Sequence, residues 1–446
     1  MAALSLPGDV RLLMDRLEAA GFPAYAVGGC VRDMILGIAP QDYDLCTAAL
    51  PEQTEAVFSD FPLVLAGKKH GTVGVITDRG VVEITTFRTE GGYQDNRHPD
   101  WVRFVPEIQE DLARRDFTVN AMAWSPTRGF ADPFGGQQDL EEGILRAVGC
   151  PATRFEEDSL RILRGVRFAI RYRLTPEAAT LQAMISQAPL MDNLARERVF
   201  DELCKLLPLI SAPQLQQYAP ILCTVIPELS PMIGFDQRTV HHAYDLFTHT
   251  ARVVEHVPAD LTLRWTALLH DIGKVPTFTL DENGRGHYLG HAKKSAEMAD
   301  VILRRLKAPT ALRERVIWLI DHHMSPLEPK RDQLRRQLSR WGQPVLEQLL
   351  TLQRADYSSK GTGTPEEAAV FDEIANLLEE ILAENACLSL KDLAINGRDL
   401  IELGFAPGKQ LGSCLDHLFR QVLDETLPNH RETLLKHAIE YKENAL

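Results

Sequence analysis

The chain has no pair of cysteines at C-x-x-C spacing; its seven cysteines are scattered from Cys30 to Cys414. That scatter gives no even disulfide framework and no structural zinc site, and it fits a reducing cytosol. No apolar run approaches the roughly 18 residues that a membrane span needs. The opening stretch MAALSLPGDV has no basic region leading into an apolar core, so no secretory leader is expected there. Basic residues are in deficit, 48 against 62 acidic, for a formal net charge of −14. A protein that coats nucleic acid through overall basicity is thereby disfavoured. A local basic groove is not, because phosphate binding depends on charge near the phosphates. There is also no internal repeat and no low-complexity tract. What is present is ordinary globular composition, 45% hydrophobic and 25% charged over 446 residues. At about 150 residues per domain, that length suggests roughly three domains.

The first 148 or so residues read as mixed α/β. GDVRLLMDRLEAAG places Val10, Leu13, Met14 and Leu17 at helical spacing, with Asp9 as N-cap and Gly21 as stop. AYAV (24–27) reads as a strand running into Gly28-Gly29, VRDMILG as a short helix, and DYDLCT as the next strand. GVITDRGVVEITTF reads as a β-hairpin around Asp78-Arg79-Gly80. After Pro151 the pattern is helical almost throughout, with GTGTP (361–365) as a linker. The expected fold class is α+β: a mixed-sheet head followed by an elongated all-α body.

Within the head, a double glycine lies between strand and helix, and Asp42 and Asp44 follow on the next strand. Alternate strand residues share a face, so the two carboxylates point the same way. Side by side they repel unless a divalent cation sits between them, and oxygen ligands suit magnesium. Gly29 lets the backbone approach a triphosphate at the helix start, and Arg32 lies one turn further on. On a helix over 158–171, Arg161, Arg164, Arg167 and Arg171 fall in one stripe. Ile162, Leu163, Val166, Ala169 and Ile170 face inward. Leu160 and Phe168 break the pattern by lying on the arginine side. Residues 161–173 hold five arginines and no acid, which suggests an anionic ligand.

The strand–helix–strand arrangement resembles the nucleotidyltransferase superfamily that includes DNA polymerase β, and that resemblance makes Glu83 the third carboxylate. The motifs GGCVRD, QDYDL, RRDFTVNAMA (114–123), DPFGGQQDL (132–140) and EDSLRILRGVRFA (157–169) occur in the order of one family. They resemble the class II tRNA nucleotidyltransferases, the bacterial CCA-adding enzymes and their poly(A) polymerase relatives, densely over about the first 210 residues. The resemblance implies ATP and CTP as substrates, tRNA as partner and a cytoplasmic location. It places Arg115 on the nucleotide, Asp116 and Asn120 near the ribose, and Arg164 and Arg167 toward the triphosphate. Asp158 and Arg161 would serve as a protein template. A carboxylate accepts from an exocyclic amine and a guanidinium donates to a ring nitrogen. Cytosine and adenine present that pair, whereas uracil and guanine present the reverse. A mismatched base would leave buried polar groups unpaired. The polar segment 88–107, with Gly91-Gly92 as a hinge, is expected to move so that one pocket holds C and then A. In the family, enzymes restricted to adding CC lack this loop.

The body carries a second set of residues. His249, His270-Asp271 and Asp356 stand in the order of the HD phosphohydrolase superfamily, in the strings YDLFTHT, LLHDIGK and LQRADYS. Imidazoles with carboxylates suit a softer metal such as manganese, cobalt or nickel. His291, His322 and His323 would supply ligands for a second ion, as in binuclear members. Residues 330–341, KRDQLRRQLSRW, read as a solvated basic face or a phosphate contact. The resemblance assigns the tail to tRNA binding. The expected divisions are a head over 1–148, a base-recognising neck over 149–215, an HD-type domain over 216–362 and a tail over 363–446. Three readings stay open: CCA addition, addition of the terminal A alone, and a metal phosphohydrolase with an RNA-binding head.

Overall fold

The computed structural model describes residues 4–92, 101–384 and 386–444. The chain forms two compact units. The first comprises residues 1–210 with 217–230 and 305–307; the second comprises 211–216, 231–304 and 308–446. Among the described residues, no helix is long and apolar enough to cross a membrane.

The first unit is built on a seven-stranded sheet. Its strands are β1 (Ala24–Val27), β2 (Leu45–Thr47), β3 (Leu63–Val64), β4 (Thr72–Thr77) and β5 (Gly80–Thr86). A separate two-stranded ribbon, β6 (Arg88–Gly91) with β7 (Trp101–Phe104), follows in the chain. The sheet is completed by β8 (Ala123–Ser125) and β9 (Gly129–Ala131), in the order β3-β4-β5-β2-β1-β8-β9. The pairing is antiparallel except between β2 and β5, where Leu45 lies opposite Ile84. Val27, Cys46, Phe87, Leu112 and Ala123 are buried together in the head core. The expected hairpin around residues 78–80 is present, with Val75 opposite Val82.

Local expectations are corrected at three places. Asp9 lies inside the first turn of helix Gly8–Ala19 and is not its cap; Pro7 holds the N-cap position, and Asp9 instead accepts from Thr77 and Arg79. Asp42 and Asp44 lie in extended chain just before β2. The Asp44 carbonyl still accepts from the Val27 N–H at 3.0 Å, which fixes that approach against β1. Gly91 lies in a strand of the ribbon, paired with Trp101, where a loop was expected. The rest of the expected mobile segment, 93–100, lies outside the described residues.

Helix Leu160–Tyr172 buries the predicted inward face, with Ile162, Leu163 and Val166 fully shielded. The second unit is helical apart from a two-stranded hairpin, Thr279–Leu280 with Gly286–His287, so the body is not all-α. In the basic segment Arg331–Trp341, three arginines are paired with acids. Arg331 pairs with Glu380, Glu384 and Glu425, Arg335 with Glu425, and Arg336 with Asp424. These pairs tie the segment to helices Pro365–Ala383 and Lys409–Leu423.

Gly136 begins the helix after DPFGG, and a Cβ there would lie 2.2 Å from the Thr118 carbonyl oxygen. Backbone cannot yield as a side chain can. Gly136→Ala is therefore expected to lose roughly 1–3 kcal/mol, the usual cost of overpacking. Urea unfolding measures it, and an unchanged midpoint would contradict this packing.

Candidate active site and metal centre

A cleft of about 520 Å³ opens in the first unit. Asp42 and Asp44 line it, as do Gly29, Arg32, Arg115, Asp116, Asn120, Asp158, Arg161, Arg164 and Arg167. All nine expected nucleotide-binding positions are thus brought together with two of the three expected carboxylates. Glu83 does not line the cleft. The parallel register of β2 and β5 nevertheless sets it beside Asp44, one residue before the Leu45–Ile84 pair. Confinement in the cleft wall raises the Asp44 carboxyl above its ordinary pKa. Arg115 opposes that shift, and Glu83 and Asp42 add to it.

Gly28 has φ 74°, a left-handed conformation that glycine adopts without steric cost. A Cβ at Gly28 would lie 2.7 Å from Arg115 Nη1, so the double glycine serves close approach as well as a turn.

Eight arginines and five aspartates line the cleft. The sequence expectation of unpaired arginines is corrected here, because one acid a turn away and others from elsewhere in the fold meet them. Arg161 donates to Glu157 at 2.7 Å, and also to the carbonyls of Arg154 and Arg114. Arg164 pairs with Asp116 at 2.7 Å, and Arg167 with Glu202. Asp116 also accepts from the Asn120 amide at 3.0 Å and from the Phe117 N–H at 2.9 Å. Burial works against its charge, yet Arg164 and Asn120 hold its carboxyl far below the usual range. In this structure Asp116 orients Arg164. Arg32 is likewise engaged, by Asp33 at 2.7 Å and by Asn120 and Tyr172.

Four contributors were not found from sequence. Arg198 holds the Asp158 carboxylate at 3.0 Å. Tyr172 lies under Arg32 with 4.0 Å from guanidinium carbon to ring centroid, while Asp33 and Arg114 complete the lining. The misplaced Phe168 was itself the signal for an aromatic floor. The guanidiniums of Arg167, Arg164 and Arg32 lie 4.4, 5.2 and 5.3 Å from its ring centroid, within cation–π range.

In the second unit, helices Leu246–His256, Leu261–Leu269 and Gln343–Ser358 bring His249, His270, Asp271 and Asp356 together. His249 Nε2 lies 2.9 Å from Asp356, and His270 Nε2 lies 3.2 Å from Asp271. Asp271, His291 and His323 form a second group that shares Asp271. His322 is not in it. Its ring stacks on Trp318 at 4.0 Å, turned away because consecutive helical residues point about 100° apart. The four clustered histidines each set Nδ1 against a backbone carbonyl, those of Ser359, Ala267, Tyr288 and Ile320. Such contacts fix the ring and aim Nε2 inward, as in metal sites. His249 Nε2, His270 Nε2 and both Asp271 oxygens are buried without a hydrogen-bond partner. Burial pushes His323 down to about 4. Burial also opposes charge on His270, but Asp271 and Asp356 lift it to about 10. Lys274, at 2.7 Å from Asp271, supplies the nearest fixed positive charge.

Comparison with known proteins adds an independent line. The sequence model for the poly A polymerase head domain matches residues 24–146, and that for tRNA nucleotidyltransferase domain 2 matches residues 288–438. The CCA-adding enzyme of Levilactobacillus brevis is 35% identical over 430 residues, covering 95% of this chain and 96% of that protein. The crystal structure of the Bacillus stearothermophilus CCA-adding enzyme in complex with CTP is 26% identical and superposes with a TM-score of 0.65. It covers 98% of this chain and 97% of that one. The Thermotoga maritima CCA-adding enzyme complexed with tRNA, 20% identical, shares the fold at a TM-score of 0.60 over 98% and 96% of the two chains.

The Asp116–Arg164 pair makes a pH-dependent prediction. A carboxylate whose pKa is depressed on folding contributes stability above its unfolded pKa of about 3.9 and loses it as pH falls through the folded value. Asp116→Asn should therefore destabilise the protein by about 1.5–3 kcal/mol at pH 7. Its difference from the parent should shrink below about pH 4. Paired denaturation curves from pH 7 to pH 3 measure this, and a constant difference would contradict it.

Proposed function

Because the chain belongs to the CCA-adding tRNA nucleotidyltransferase family, we propose that its head cleft binds CTP and ATP in turn and transfers them to the 3′ end of tRNA without a nucleic-acid template. The observation that carries this reading is that one cavity holds both Asp42 with Asp44 and Asp158 with Arg161. Chemistry and base choice are then served side by side. A cytoplasmic enzyme follows, divided as the sequence suggests at 148/149, 215/216 and 362/363.

The donors at Asp42 and Asp44 are all carboxylate oxygens, which fits a hard divalent cation, with magnesium the natural choice. When bound, the cation supplies Lewis acidity to the attacking 3′-hydroxyl and neutralises charge on the departing pyrophosphate. Glu83 supports Asp44 from the neighbouring strand. The chain's own residues do the rest. Gly28 and Gly29 let the backbone reach the phosphates, while Arg115, Arg164 and Arg167 supply positive charge around them. Asp158 accepts from the exocyclic amine of C or A. Arg161 donates from its hydrogens not taken up by Arg154, Glu157 and Arg114. Uracil and guanine meet donor against donor and acceptor against acceptor. Full-length relatives named as CCA-adding favour complete CCA addition over A-only addition.

We further infer that the body cluster would hold two transition-metal ions of the manganese, cobalt or nickel type, Asp271 belonging to both ligand groups, and would hydrolyse phosphate esters. The orphaned Nε2 atoms of His249 and His270, with both orphaned oxygens of Asp271, fit such ions. Paired ions of this kind activate water and clamp a phosphate. His291 and His323 serve the second ion. His322 is excluded from this set.

The two sites are separable by mutation. Asp42→Ala or Asp44→Ala is expected to lower nucleotide addition by about a hundred- to a thousandfold, the scale of losing electrostatic stabilisation in the transition state. tRNA binding should persist. Asp271→Ala should leave addition intact and remove metal-dependent hydrolysis of a 2′,3′-cyclic phosphate. Both activities are assayed on the same preparations. Near-normal addition by Asp42→Ala would overturn the head reading, and loss of addition in a folded Asp271→Ala protein would overturn the separation.

A further inference from the structure

Arg161 is held on one side by a main-chain atom, and that atom leads to a carboxylate outside the cleft. Its Nη2 donates to the Arg114 carbonyl at 3.0 Å, a contact that spans 47 residues of chain. Arg114 is itself fixed by Asp111, whose Oδ1 accepts from Nε at 3.0 Å and from Nη2 at 2.9 Å. The other oxygen, Oδ2, meets Arg115 Nη2 at 3.3 Å. One carboxylate thus grips both the arginine that anchors the base reader and the arginine set toward the phosphates. Asp111 is fully buried and does not line the cleft. It reaches a ligand only through those two arginines.

The local sequence makes this arrangement possible. Asp111 lies in helix Ile108–Ala113, and Arg114 and Arg115 follow it at i+3 and i+4, the spacings at which side chains meet on a helix. The ribbon joins at the same point. There the Arg88 N–H donates to Asp111 Oδ1 at 3.3 Å, and Glu90 meets Arg114 at 3.4 Å. Burial works against charge on Asp111, yet Arg114 and Arg115 hold its carboxyl below the usual range. In a site shielded from water, each of these attractions is stronger than it would be at the surface. A change at one guanidinium is therefore felt by the other.

We infer that Asp111 is a positioning residue that couples binding of the triphosphate at Arg115 to reading of the base by Arg161. A phosphate arriving at Arg115 takes up part of that guanidinium's attraction, and Asp111 then bears more fully on Arg114. The Arg114 carbonyl is held more firmly, and Arg161 with it. The inference rests on the head reading given above, and it adds a dependence within that site. Preference for C over U sharpens when the β- and γ-phosphates are in place. A nucleotide with the wrong base accordingly gains less from its triphosphate than one with the right base. Coupling of this kind is reciprocal and changes affinity by about five- to 150-fold.

Equilibrium dialysis of the full-length protein with labelled nucleotides and magnesium tests this without turnover, because no tRNA is present to accept a nucleotide. The parent protein is expected to prefer CTP over UTP by a ratio about tenfold larger than its preference for CMP over UMP. The monophosphates carry the same bases without the outer phosphates. Equal ratios for the two pairs would overturn the proposal whatever any variant does. Asp111→Asn keeps the size of the side chain and removes its charge. It is expected to bring the CTP/UTP ratio down to that of the monophosphates, while the CMP/UMP ratio stays within about twofold. Asp111→Glu, which restores the charge, should recover part of the loss. A carboxylate that merely supported the fold would lower all four affinities together, and unchanged ratios in Asp111→Asn would likewise overturn the proposal. Failure of the parent protein to bind CTP at all would instead strike the head reading, and this inference with it.

Discussion

Eight guanidinium groups around one cavity of about 520 Å³ repel one another strongly, and the head can hold them only because acids, some local and some from distant segments, stand behind them. Asp116 comes from 48 residues before Arg164, Glu202 from 35 residues after Arg167, and Asp111 braces both Arg114 and Arg115. Each pair leaves the guanidinium positively charged at its outer edge and fixed at its inner edge. A flexible arginine would have to lose rotamer freedom when a ligand arrived, whereas a braced one has already lost it on folding. The strand register of the sheet matters to function through this bracing. It sets Asp44 beside Glu83 and carries Gly28 against Arg115.

The body solves a different problem with the same economy. Four imidazoles are oriented by main-chain carbonyls, so no side chain is used to aim them. Asp271 stands at the centre, within reach of His249, His270, His291, His323 and Lys274. Lys274 pairs with one of its buried oxygens, and a metal ion among the imidazoles would share the other. The head offers carboxylate oxygens alone beside a basic cleft, and the body combines imidazole nitrogens with carboxylates. The donor chemistry alone directs the two sites to different ions.

Much of this was legible in the chain, and the limits were physical. Local periodicity revealed the arginine stripe and the buried face behind it, because both lie on one helix. The acids that pair with Arg164 and Arg167 left no trace in that window, since they arrive from other elements. Glu157 was within reading distance, one helical turn before Arg161. Phe168 looked misplaced only as long as the arginines were read as bare charges; as a cation–π floor it belongs on their side. His322 and His323 could have been weighed against each other in advance, because neighbouring helical residues point about 100° apart. Arg198 and Tyr172 could not have been found locally, as their contacts span 40 and 140 residues. The strand that follows aspartates 42 and 44 begins at Leu45, three residues later than expected, and both carboxylates still line the cleft.

If bracing is what makes Arg161 a selective reader of bases, then removing its brace must alter base choice even though the brace is not itself part of the cleft lining. Glu157 is that brace, at 2.7 Å from Arg161. The direct measurement is single-nucleotide incorporation of CTP and UTP by Glu157→Ala onto tRNA lacking its CCA end. A freed guanidinium should admit UTP at a markedly higher rate relative to CTP while CTP incorporation changes little. Discrimination equal to that of the parent protein would contradict the account.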